Sequence, residues 1–212
     1  MAIERIVFGV FHTLENTERA ISLISPYVTS RNKVGLEVSG RELKLYDEIN
    51  ARKLPPEYAR KALLDRICEE RGWHYPENED ELPNGLSAAL FWYGLYNGLR
   101  QSGAEIKGLG SEKRSRLLDK LLAECRRHPT CSASLRYDLI AGPHSDRFLT
   151  ERMLESGCDR AVVGIAHATK VANKTDSKLV VIDDLPLDLK RMIDALEEVY
   201  QSKRHSLPDL RD

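Results

Sequence analysis

Two stretches of this chain are apolar runs that carry Gly-x-x-His: Ile6-Val7-Phe8-Gly9-Val10-Phe11-His12 and Ala161-Val162-Val163-Gly164-Ile165-Ala166-His167. Histidine titrates nearest neutral pH and is the commonest metal ligand, so a matched pair of such motifs is where chemistry is expected. A third chemical group stands in Lys33-Val34-Gly35-Leu36-Glu37-Val38, another short apolar run. A carboxylate beside the end of a buried strand costs free energy unless it is paired, ligated or catalytic. The alternative for Glu37 is a solvated strand terminus bonded to nearby backbone. Two histidines and one carboxylate suffice as a first shell for a divalent metal such as Mn, Co or Zn, with a position left for water. They suffice equally for metal-free hydrolysis, in which one imidazole activates water and the other polarises the substrate. The spacing does not choose between the two.

The elements that position these groups follow from the pattern. An uninterrupted β-branched run reads as a strand buried on both faces, as in parallel sheets. Glycine within such a strand, here Gly9 and Gly164, lets backbone or ligand approach closely. His12, Glu37 and His167 then fall at the carboxyl ends of their strands, the edge at which open α/β sheets place ligands and catalytic groups. Strands are expected at 3–11, 33–38, 104–109 and 178–182 and in the run Ala161–His167 that carries the second Gly-x-x-His. Thr13 is placed to cap a helix running to Tyr27. Further helices are expected at 55–71, 87–101, 111–127, 146–156 and 186–201, with a short helical start at 168–173. Residues 74–84 and 128–145 read as irregular. The expected fold is a single α/β domain over 1–212, a mostly parallel central sheet with flanking helices and a helical insertion at 50–101.

Composition sets the outer limits. The 212 residues are 42% hydrophobic and 31% charged, which suits a chain with a real core and a polar surface. With 32 basic and 33 acidic residues the net charge is −1, which gives no electrostatic reason to expect nucleic acid as a partner. Lys113, Arg114 and Arg116 form a local basic group, most simply a solvated helix face. No apolar run reaches the roughly 18 residues of a membrane span, and the first strand begins almost at once, so a cytoplasmic chain without membrane contact is expected. Cys68, Cys125, Cys131 and Cys158 show no metal-module spacing; Cys125 and Cys131 flank His128, which suggests zinc only weakly. The helix at 86–99 carries Phe91, Trp92, Tyr93 and Tyr96, a cluster that serves as core or as a partner interface, including one between copies of this chain.

The order strand–Gly-Val-Phe-His–helix–Gly-Leu-Glu-Val, followed late in the chain by Asp146-Arg147-Phe148-Leu149-Thr150-Glu151-Arg152-Met153 and by Val162-Val163-Gly164-Ile165-Ala166-His167, resembles the TraB/TiKi-type superfamily. That grouping includes TraB-like proteins, the TiKi Wnt-cleaving metalloproteases, haem-binding ChaN-like proteins and erythromycin esterases. The resemblance covers residues 3–48 and 103–183. It implies that His12, Glu37 and His167 line one site, with Arg147 or Arg152 beside them; Arg152 is the residue assigned to anion stabilisation, and a surface pair with Glu151 or Glu155 is the alternative. Relatives of the TiKi kind carry a Glu straight after the third strand, where this chain has Leu109-Gly110-Ser111. The implied activity is hydrolysis of a peptide, ester or amide bond in a small-molecule or peptide substrate. The rival implication is a non-enzymatic protein that holds iron, haem or a small ligand with the same histidines. His144, at the start of a helix, can approach the pocket or neighbour the cap; His74, His128 and His205 read as surface residues.

Overall fold

The computed structural model describes residues 4–74, 82–127, 131–182 and 187–211. Five strands form one sheet: β1 (Ile6–Val10), β2 (Lys33–Leu36), β3 (Glu105–Gly108), β4 (Arg160–Gly164) and β5 (Lys178–Val181). Their order is β3-β2-β4-β1-β5 and every pairing is parallel. The first three strands are laid down outward with a gap between β1 and β2, and β4 later fills that gap. Val10 pairs with Gly164 on one side of β4, and Leu36 pairs with Val162 on the other.

Period-two alternation on β1 divides the core between the two faces of the sheet. Ile6, Phe8 and Val10 join one buried cluster with Val34, Leu36 and Val162. The helices that complete it are α1 (Thr17–Ile24), α2 (Gly40–Ala51), α3 (Pro56–Arg71) and α4 (Asn84–Arg100). Val7, Ala161 and Val163 point the other way. They pack with residues of α5 (Glu112–Arg127), α7 (Ser145–Glu155) and α8 (Ile165–Thr175). The chain also forms α6 (Cys131–Leu139) and α9 (Leu187–Lys203). The result is a three-layer α/β/α arrangement.

Several expectations shift in detail. Residues 50–101 share one core with the sheet. The aromatic cluster of α4 belongs to that core: Phe91, Trp92, Tyr93 and Tyr96 are all buried, so these rings are spent within the chain. A helix over 40–51 is opened by a capping box, in which the Ser39 hydroxyl accepts from the Glu42 amide and the Glu42 carboxylate accepts from the Ser39 amide. Thr13 makes no side-chain cap; it precedes a short 3-10 turn at Leu14–Asn16 that leads into α1. Of the stretch expected to be irregular, residues 131–145 are helical, through α6 and a wide turn at Ile140–His144 kinked at Gly142. Residues 75–81 of the expected acidic loop, His128 and the Pro186 helix start lie outside the described residues.

Candidate functional site

The strand order brings the three chemical groups together. β1 and β2 leave the sheet on either side of β4, so His12, two residues past β1, and Glu37, one past β2, flank the end of β4 at Gly164. There the chain turns directly from strand into α8, with Gly164 as its N-cap and His167 in the first turn. The second histidine is therefore helical rather than on a strand-end loop, and the helix expected from residue 168 begins at Ile165.

Glu37 is the hub. Its Oε2 accepts a hydrogen bond from the Gly164 amide at 2.7 Å, while Arg114 Nη2 donates to Oε1 at 3.1 Å. His167 Nε2 stands 3.6 Å from the same Oε1. His167 Nδ1 lies 2.6 Å from Asp146 Oδ1 and donates to it, which fixes the ring and leaves Nε2 facing Glu37. The residue before Asp146 ties in the other cation: Arg114 Nε donates to Ser145 Oγ at 2.6 Å, and Ser145 donates onward to the Ile140 carbonyl at 2.6 Å. The first turn of α7 thus holds both positive partners of Glu37, and the kinked turn at 140–144 aims it. Glu37, His167, Asp146 and Arg114 expose 8%, 9%, 1% and 11% of their side chains, so this is a buried ionic network with its members paired.

His12 is the open member of the group. The residue reaches the surface at the edge of the site, but its ring is turned inward, with Nε2 beside Gly164 and the ring 5.9 Å from that of Trp92 on α4. Space is tight where the groups converge: a Cβ on Gly164 would sit 3.2 Å from His12 Nε2 and 3.3 Å from Glu37 Oε2. Gly9 gives the close approach expected of it, to a neighbouring helix. A Cβ there would lie 2.7 Å from the Ala168 Cβ, so Gly9 lets α8 pack onto β1.

These surroundings drive the titrating groups apart. Burial acts to raise the Glu37 carboxyl, but His167, Arg114, His12 and the Gly164 amide outweigh it and hold the group at about 2. Burial also pushes His167 down, yet Glu37 and Asp146 together lift it above the ordinary 6.5. His12 moves the opposite way, lowered below 6.5 mainly by desolvation, with Glu37 only partly opposing. One imidazole thus favours the neutral form and the other the protonated form beside a single fixed carboxylate.

Sequence reasoning placed some site residues elsewhere. Arg152, assigned to anion stabilisation, is half-buried and sits 3.5 Å from Glu155, and Arg147 pairs with Glu151 at 2.8 Å; each arginine is paired along the surface of α7 itself. The arginine at the site is Arg114, expected on a solvated helix face and in fact 9% exposed. His144 serves the fold instead: Nε2 lies 2.7 Å from the Pro208 carbonyl and Nδ1 3.2 Å from the Tyr200 hydroxyl, clipping the C-terminal segment down. His74 and His205 are exposed, as expected.

The expected metal ligands His12, Glu37 and His167 do meet, but the donor set suits a divalent cation poorly. Both carboxylate oxygens of Glu37 are engaged, and a guanidinium already occupies the cation position on Oε1. Among the described residues no group of three or more His, Cys, Asp and Glu side chains is arranged to hold a metal ion. No described helix is long and apolar enough to cross a membrane. Compared with known proteins, the chain matches no family model, no curated protein and no solved structure.

Proposed function

We propose that this chain is a hydrolase that cleaves an ester, amide or peptide bond by general acid–base chemistry at the carboxyl edge of its sheet. The observation that carries this reading is the convergence of two imidazoles on Glu37, His12 at the Gly164 turn and His167 held by Asp146, in surroundings that push their pKa values in opposite directions. Environments that push two titrating groups apart are how one site supplies both a base and an acid near neutral pH. The resemblance in the two Gly-x-x-His motifs points to the same class of reaction.

In this scheme His12, at the rim of the site and biased toward its neutral form, takes a proton from a water molecule as the water oxygen attacks the carbonyl carbon. The negative charge that develops on the carbonyl oxygen is met by the protonated His167 Nε2, where a fixed donor in a water-poor setting is most effective. Collapse of the tetrahedral intermediate breaks the bond to the leaving group, which takes the proton held by His12. Glu37 is too strongly paired to serve as a base. It instead orients His167 and stabilises its charge, while Asp146 fixes the ring from the other side. Arg114 completes the pairing of Glu37, and Trp92 braces His12.

The test is hydrolysis of p-nitrophenyl acetate and of an N-acyl anilide by the purified protein in the presence of EDTA. Wild-type turnover that survives chelation and falls by at least about 10²-fold in His12→Ala, the low end of what a positioned acid or base contributes, supports the scheme. Equal rates in the two proteins would refute it. Activity that appears only with added Mn²⁺, Co²⁺ or Zn²⁺ would reassign His12 and His167 as ligands, and visible absorbance of the fresh protein would favour the haem- or iron-holding alternative.

A further inference from the structure

The two cations that pair with Glu37 are both held by the first turn of α7. Arg114 Nε donates to Ser145 Oγ and His167 Nδ1 to Asp146 Oδ1, each at 2.6 Å. The backbone alone does not fix that turn. The wide turn before it leaves helical geometry at Gly142 and continues with Pro143, which has no amide hydrogen to donate. The Ile140 carbonyl accepts from the Ser145 hydroxyl. A turn built this way leans on side chains for its position.

Those side chains reach the C-terminal segment. His144, adjacent to Ser145, uses both ring nitrogens outside its own turn. A carbonyl oxygen can only accept, so Nε2 donates to Pro208 at 2.7 Å, while Nδ1 stands 3.2 Å from the Tyr200 hydroxyl of α9. Two residues beyond Pro208, Leu210 is 2% exposed and shares a buried cluster with Ile140, with Phe148 of α7 and with Leu121 of α5. Leu207 packs against the same cluster. The charges of the segment face the same two helices: Asp209 lies within reach of the Lys113 charge at the start of α5, and Arg211 within reach of Glu151 and Glu155 on α7. Residues 207–211 are thus tied to both α5 and α7, the helices whose first turns carry Arg114, Ser145 and Asp146.

We propose that residues 207–211 form a strap that positions the ionic network. Docked through His144 and Leu210, the strap holds the first turn of α7 so that Ser145 and Asp146 stay on Arg114 and His167. His144 is a positioning residue, acting through the two residues that follow it. As a control over catalysis the strap rests on the proposed hydrolysis. Its hold on the network does not, and that hold is measured without turnover.

The test follows the Arg114 Nε–H and His167 Nδ1–H signals of the 15N-labelled full chain by NMR and measures their exchange with solvent. His144→Leu removes the link to Pro208, and Leu210→Ala loosens the strap at its far end. In each variant both signals should exchange at least about tenfold faster than in the wild type, the scale set by losing one buried hydrogen bond. His144→Gln, which can still donate to the Pro208 carbonyl, should restore most of the protection. Ile49→Ala loosens the core on the other face of the sheet and should leave both signals unchanged. Wild-type exchange rates in either strap variant would overturn the proposal, as would signals already unprotected in the wild type. Equal acceleration in Ile49→Ala would overturn it too, and so would a His144→Leu chain that fails to fold with His144→Gln no better, since each marks a contribution to stability alone.

Discussion

Exchanging Glu37 for glutamine keeps the shape of the side chain and removes the charge on which the network depends. In the native site this carboxylate faces Arg114 at 3.1 Å, His167 at 3.6 Å and the Gly164 amide at 2.7 Å. Glutamine can still accept from Gly164, but its amide nitrogen then turns a donor toward two buried cations. Removing one partner of a buried ion pair costs about 3–5 kcal/mol, because the remaining charge is left uncompensated. The titration of Glu37 gives a similar figure: its depression from 4.5 to about 2 corresponds to ~3 kcal/mol of folding stability. Because the folded-state pKa is the lower one, this stabilisation is fully present above about pH 4.5 and is lost as the pH falls toward 2. Urea unfolding followed by circular dichroism at pH 7 should show the variant weakened by about 3–5 kcal/mol, or roughly 6–20 °C in melting temperature for a chain of this size. The acid limb between pH 4.5 and 2 should flatten at the same time. A loss below about 1 kcal/mol at pH 7, or an unchanged acid limb, would refute the claim that Glu37 is the charge hub.

Three further outcomes follow from the same geometry. Asp146→Asn removes one of the charges that raise His167, so the His167 pKa should fall and the hydrolytic rate drop by about 10²-fold, read from an NMR titration and from turnover. Gly164→Ala and Gly9→Ala should part company. The first places a methyl group 3.2 Å from His12 Nε2 and should cost activity, whereas the second meets Ala168 at 2.7 Å and should cost about 1–3 kcal/mol of stability in denaturant titrations. Arg152→Ala removes an exposed pair and should change stability by less than about 0.5 kcal/mol, while Arg114→Ala, which leaves Glu37 without its guanidinium, should cost several times more.

The sheet and its chemical edge were legible because apolar runs without polar interruption mark buried parallel strands, and the ends of those runs placed His12, Glu37 and His167. What brings the three together was not legible. It depends on β4 entering between β1 and β2, a long-range pairing that leaves no local trace. Arg114 was hidden for a related reason: an arginine among Lys113 and Arg116 on a charged helix reads as solvated, and only the packing of α5 turns it inward. The Arg147–Arg152 helix was located correctly, but its arginines pair along its own surface, and the working groups are Ser145 and Asp146, immediately before Arg147. The helix over 40–51 did have a signal, the Ser39-x-x-Glu42 box. The aromatic run on α4 admitted core or interface, and burial of all four rings places it in the core.

The central claim is that the two histidines of the site differ in charge state because of what surrounds them. It is tested most directly by titrating the imidazole resonances of the uniformly labelled protein by NMR, with His12→Ala and His167→Ala used for assignment. The account predicts that His12 titrates below 6.5 and His167 above it, and that the His167 value falls in Glu37→Gln. Coincident titrations of the two rings, or the reverse order, would contradict it.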